Sequence, residues 1–283
     1  MRFSYWPAAG ADWPELLQNC LAAEACGWDG VWFSDHLMPS RGDPCAPINE
    51  SFTALAALAA SVPRLRLGHM VAGNTYRHPA LVAKMAAGID RISGGRFVLG
   101  VGAGWQANEH RAYGIPFFDT PGRMARLDEA CSVLRCLLTQ EMSTYNGRRY
   151  QLMDAPLSPK PVQARLPILI GGGGERLLLR IAARHADEWN VFAGPELLRH
   201  KNEVLARHCD AVGRDPSQIK RSVVLDLPPE DRGNDALIAH RLQAYARLGV
   251  DEVVVRDSLL HVRGESQPAA LEAFITGVAA EFH

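Results

Sequence analysis

Eight short apolar runs, each followed by a segment of helical period, occupy nearly the whole 283-residue chain. Arg2 to Trp6 reads as the first strand. Asp12 then caps a helix, with Glu15 as capping-box partner, that carries Leu16, Leu17, Cys20 and Leu21 at helical spacing and stops at Gly27. Asp29 to Ser34 is a second strand, delivering Asp35 and His36 at its end, and Ser51 to Ser61 is a helix apolar almost all round. A helix of that kind is buried on two sides, which points to a subunit interface. Leu65 to Ala72 is strand three, Pro79 to Ile92 its helix, and Gly95 to Gly102 strand four. Thr120 opens helix four, Pro167 to Ile170 is strand five, and Glu175 to Arg184 is the helix after it. Asp187 to Val191, Lys220 to Leu227 and Val250 to Arg256 complete the strands, with helices from Gly194, Asp235 and Pro268.

Apolar strands alternating with amphipathic helices imply a parallel sheet covered by helices, and eight such units in roughly 250 residues fit an α/β fold of the (β/α)8 barrel type. A doubly wound sheet is the competing arrangement. No shift in composition marks a second domain. Residues 1–283 therefore read as one barrel domain, with an active-site loop over about 102–120 and a hairpin insertion over about 143–152. The hairpin rests on Asn146-Gly147, a two-residue turn signal. It lies between a helix and the next strand, so it falls on the rim away from the active site and reads as structural.

Composition removes several function classes. Net charge is −1 and no basic run exists, which argues against nucleic acid. No apolar run approaches the ~20 residues of a membrane helix, and no secretion signal stands at the N-terminus. The six cysteines (Cys20, Cys26, Cys45, Cys131, Cys136 and Cys209) form no C-x-x-C pair and read as reduced thiols of a cytoplasmic protein. Histidines are dispersed without ligand spacing, so no metal site is expected.

In a barrel everything that follows a strand sits on one rim. That rim would gather Asp35-His36, the segment Met70 to Arg77, Gly100 to Thr120, Gly171 to Gly174 and Trp189-Asn190. Gly102 to Ala107 matches G-x-G-x-x-A, but Gly114-Ile115-Pro116 follows within a dozen residues where a dinucleotide site needs a long helix. These glycines either relieve crowding at a strand end or let a ligand approach. Gly171 to Gly174, ahead of a helix and without the Lys-Ser/Thr of a P-loop, suit a single phosphate group, or form a plain turn. An imidazole such as His36 can serve as acid or base, with Asp35 able to fix its tautomer.

Several stretches together resemble the luciferase-like flavin-dependent oxidoreductases, nearest to the branch that uses the deazaflavin coenzyme F420. They are Trp32 to His36, Leu67 to Val71, Asn74 to Pro79, Ser93 to Trp105, Glu109 to Phe117, Pro167 to Gly174 and Ala186 to Asn190. The resemblance implies a (β/α)8 barrel, usually dimeric. It implies that Asp35 and His36 reach the cofactor, with His36 handling a proton. It further implies a non-prolyl cis peptide at Met70–Val71 behind the ring, contact of Asn108 with the ring, and the phosphate at Gly171, Gly172, Gly173 and Gly174, beside Glu175. Arg77 and Arg176 are candidates for the acidic tail of F420. Trp105 departs from sugar-phosphate dehydrogenases of the family, which place a carboxylic acid there. It would instead wall an apolar substrate pocket, which argues against a sugar-phosphate substrate. The short loop Pro228 to Arg232, where many relatives carry a long lid, suggests an open pocket. The expected activity is hydride transfer between F420 and a small organic substrate. The alternatives are an FMN-dependent monooxygenase and a non-catalytic flavin- or deazaflavin-binding protein.

Overall fold

A computed structural model describes residues 1–260 and 266–283. In chain order the strands are β1 (Arg2–Trp6), β2 (Gly30–Phe33), β3 (Arg66–His69), β4 (Ala72–Gly73), β5 (Phe97–Gly102), β6 (Met142–Asn146), β7 (Gln151–Pro156), β8 (Ile168–Gly171), β9 (Glu188–Val191), β10 (Lys220–Leu225) and β11 (Glu252–Arg256). Parallel pairing runs from β3 through β2, β1, β11, β10, β9 and β8 to β5, and the β3–β5 ladder closes the ring. The eight-stranded barrel inferred from the alternation is therefore present, and the doubly wound sheet is not.

The helices that cover it are α1 (Trp13–Cys26), α2 (Ser51–Ser61), α3 (Pro79–Ile92), α4 (Ala107–Ala112), α5 (Thr120–Thr139), α6 (Leu178–His185), α7 (Pro195–Ala211), α8 (Asp235–Arg247), α9 (Asp257–Leu260) and α10 (Gln267–Ala273). Their ends follow local chemistry. Asp12 accepts from the Glu15 amide at 2.9 Å at the start of α1, and Gly27 ends it at φ +95°. Among the described residues no helix is long and apolar enough to cross a membrane.

Alternation along the strands divides the side chains in two. One set packs between barrel and helices in a continuous core. The other fills the barrel, where Trp32, Met70, Val98, Leu169, Val224 and Val254 form a separate apolar layer. Toward the N-terminal strand ends the filling becomes ionic. Glu252 Oε1 accepts from Ser4 Oγ and Trp32 Nε1, both at 2.6 Å, and Oε2 accepts from Arg66 at 2.9 Å and Arg2 at 3.1 Å. Arg66 also donates to Glu188. Burial opposes the Glu252 charge, but Arg66, Arg2, Ser4 and Trp32 outweigh it and hold the carboxyl below its usual range.

Four local expectations need correction. Strand three is broken: β3 stops at His69, the Met70–Val71 peptide is cis, and β4 resumes at Ala72. The glycines of β5 and β8 have their reason here. A Cβ on Gly100 would lie 1.9 Å from the His69 carbonyl oxygen, and Cβ atoms on Gly102 and Gly171 would lie 2.6 and 2.8 Å from the Val71 methyls. The helix after the four glycines begins at Leu178, so Glu175 to Leu177 intervene as a turn. The last helix, read from Pro268 to Ala280, is α10 followed by a π turn over Phe274–Val278.

The hairpin β6–β7 pairs Asn146 with Gln151, so its loop is Gly147 to Tyr150 rather than the two residues Asn146-Gly147. The Glu129 carboxylate on α5 accepts from the amides of Arg148, Arg149 and Tyr150, which favours the longer loop. That loop also reaches back toward the other rim, where the Tyr150 ring meets His78 edge-on at 5.3 Å.

Candidate active site

A cavity of about 510 Å³ opens at the C-terminal strand ends. Its inner wall is Met70, Val71 and Asn190; Trp6, Phe192 and Trp105 frame the opening. Gly102, Gly104, Gly171 and Gly172 leave backbone bare along its wall. The barrel therefore supplies a pocket with a mostly apolar lining and a few polar groups, as expected of a cofactor site. No group of His, Cys, Asp or Glu among the described residues is placed to hold a metal ion.

His36 follows β2 and lines this cavity with its side chain 24% exposed. Its Nδ1 lies 3.0 Å from Glu109 Oε1. Glu109 is buried on α4, and its other oxygen accepts from the Leu37 amide at 2.7 Å. Tyr76 Oη donates to Oε1 as well. Burial works against the Glu109 charge, yet the hydrogen bonds from His36, Tyr76 and Leu37 prevail and hold the carboxyl below its usual range. A carboxylate can only accept, so Nδ1 donates to Glu109 and Nε2 is not engaged by that bond. Tyr76 is pushed up, by burial and then by the Glu109 charge, and remains a donor. Trp105 packs edge-on against His36, ring centroids 5.5 Å apart, and is 65% exposed. Two other imidazoles lie nearby: His110 stacks on Tyr76, ring centroids 4.8 Å apart, and His69 is buried. Burial pushes His69 down to about 4, and it sits between Phe52 and Phe97 at 4.1 and 5.7 Å.

Other residues singled out in the sequence lie differently. Asp35 borders the cavity but spends its oxygens on Ser51 Oγ at 2.7 Å, the Gly73 amide at 2.9 Å and Arg77 at 2.8 and 3.1 Å. Arg77 is thereby held, with a further bond to Glu50 at 2.7 Å. Asn108 donates to the Pro39 carbonyl at 3.2 Å, beside the Gln106 and Tyr113 bonds that pin α4 to the loop after β2. It does not line the cavity. Gly173, Gly174 and Glu175 lie beyond the cavity lining, and Glu175 accepts from Lys201 and His200. The Lys201 side chain is only 12% exposed, and its Cε lies 3.7 Å from where a Cβ on Gly173 would stand.

The sequence model of the luciferase-like monooxygenases matches residues 1–270. The chain belongs to the luciferase-like monooxygenase family. A family relative, an F420-dependent glucose-6-phosphate dehydrogenase of Kineococcus radiotolerans, is 32% identical over 243 residues, which is 84% of this chain and 71% of that protein. Two solved structures share the fold. One is an F420-dependent secondary alcohol dehydrogenase in complex with an F420–acetone adduct, with TM-score 0.83 and 18% identity over 96% of each chain. The other is the coenzyme F420-dependent tetrahydromethanopterin reductase of Methanopyrus kandleri, with TM-score 0.83 and 16% identity over 100% of this chain and 99% of that one.

In this luciferase-like barrel, sequence reasoning found His36 but not its partners. Glu109 is 73 residues away, on a short helix that pattern reading absorbed into a loop. Tyr76 and Lys201 were likewise unmarked. Tyr76 and Glu109 both lie in segments that follow strands, on the rim that His36 shares, and within stretches that carry the family resemblance, but neither signal pairs them with His36.

Proposed function

We propose that this chain is an F420-dependent oxidoreductase acting on a small organic substrate, with His36 as the group that takes or gives the substrate proton. The observation that carries this is the His36–Glu109 pair at the opening of a glycine-walled cavity backed by Met70 and Val71. Relatives named for F420 support the choice of cofactor. The residues present fit such a group: the mostly apolar wall suits a fused ring, while Gly173 and the adjacent Lys201 suit an anionic chain. Bound F420 would supply two-electron hydride chemistry; the protein supplies orientation, exclusion of water and a proton site. Glu109 engages Nδ1 of His36, which leaves Nε2 to exchange a proton with the substrate. The glucose 6-phosphate of the named relative is not carried over, because Trp105 presents an aromatic wall at the opening. The test is parallel fluorescence titration with F420 and FMN. Micromolar binding of F420 with FMN far weaker is expected; tight FMN binding without F420 binding overturns the reading in favour of a flavin monooxygenase.

The assembly proposed is a homodimer. Leu81, Met85, Gly88 and Ile92 form a stripe along α3 beside α2, and Leu81 and Ile92 are 53% and 52% exposed. Such a stripe belongs at an interface. Sedimentation of Leu81→Asp/Ile92→Asp should give monomers where the parent gives dimers; dimers in both would place the interface elsewhere. All six cysteines are free, in keeping with a reducing cytoplasm.

A further inference from the structure

We propose that Arg256, at the C-terminal end of β11, anchors the carboxylate of an elongated apolar substrate whose reacting carbinol or carbonyl lies at His36. The inference rests on the oxidoreductase reading above and adds a substrate class to it. Arg256 is the one Arg or Lys among the described residues that line the cavity. Its guanidinium lies over the rings of Trp6 and Phe192, 6.0 and 5.7 Å from their centroids. One acid, Asp226, stands 3.9 Å away and is itself 59% exposed. Among the described residues none accepts a hydrogen bond from its side chain.

The other arginines inside the fold are treated differently. Arg66, Arg77 and Arg96 each deliver their nitrogens to two or more carboxylate or carbonyl oxygens. Arg256 is 37% exposed and faces a cavity instead of acceptors. A guanidinium fork in that setting is matched by a carboxylate, which it can bind with two parallel hydrogen bonds. The Trp6 and Phe192 rings beside the guanidinium suit an apolar body. A phosphate dianion fits less well, since one guanidinium with Asp226 close by leaves the second charge uncompensated.

Position sets the length. β2 and β11 flank β1, so their C-terminal ends at Phe33 and Arg256 stand two strand spacings apart, ~10 Å, and His36 follows in the loop just beyond the first of them. The substrate class is therefore an aryl or long-chain oxo or hydroxy acid, with the redox carbon and the carboxylate at opposite ends.

The experiment compares 2-naphthoate with its neutral isostere 2-naphthamide by calorimetry on cofactor-loaded protein. The parent should bind the carboxylate about tenfold more tightly than the amide. Arg256→Met should abolish that preference while changing F420 affinity less than threefold, and Arg256→Lys should restore part of it. Equal affinities in the parent, no measurable binding of either probe, or an unchanged preference in Arg256→Met overturns the proposal. So does a tenfold loss of F420 affinity in Arg256→Met, which would assign the guanidinium to the cofactor. The preference can be read with FMN loaded instead, so failure of the cofactor assignment is seen separately.

Discussion

His36→Ala is expected to lower turnover by about 10²–10⁴-fold, the usual contribution of a positioned acid or base, with F420 affinity held within a few-fold. The separation follows from the geometry. Among the described residues, His36 makes one side-chain hydrogen bond, to Glu109, and one ring contact, with Trp105. Removing the imidazole therefore deletes proton transfer without collapsing the pocket. Glu109→Gln is the companion variant. A neutral amide still accepts from Leu37 but no longer offers His36 a charged acceptor, so turnover should fall with KM little changed. Loss of F420 binding in His36→Ala, with normal turnover at saturation, would falsify the assignment.

Glu252→Ala should destabilise the fold by about 3–5 kcal/mol, the cost of breaking a buried ion pair by removing one partner. Glu252 is 1% exposed and accepts from Ser4, Trp32, Arg66 and Arg2. Its loss leaves two arginines undercompensated and two neutral donors unpaired inside the barrel. The acid dependence has a definite sign. A carboxyl held below its usual range contributes stability that is fully present above that range and is lost as pH falls through the lowered folded value. Urea unfolding of parent and variant should thus differ most near neutrality and converge in acid. A gap below 1 kcal/mol at pH 7, or one that does not narrow in acid, counts against this account.

The fold was legible because the barrel repeats its signal. Eight alternations of apolar strand and amphipathic helix admit few closures, and several helix starts carry their own marker, such as Asp12 or Pro79. What stayed hidden depends on contacts between distant segments. Nothing local to Glu129 says that it will gather three amides of a hairpin loop and lengthen its turn. Nothing local to Gly100 says that the space it leaves is taken by the His69 carbonyl. The strand-end glycines could be read as room for a ligand or relief of crowding. Gly100 is the second, made necessary by the broken third strand; Gly102 and Gly171 both clear Val71 and line the cavity. His36 was visible as chemistry, while Glu109 became visible only once α4 was seen folded back onto the loop after β2.

The barrel filling has a kinetic corollary. Its ionic cluster and its apolar layer together fill the barrel beneath the cavity, so a molecule lodged against Met70 and Val71 can leave only toward the rim where Trp105 and Phe192 are exposed. With that one way out, whichever molecule enters second must leave first. Exchange of a molecule lodged against Met70 and Val71 is then hostage to whatever occupies the opening. High substrate concentrations should slow the renewal of a spent cofactor, and the enzyme should obey an ordered rather than a random sequence of binding.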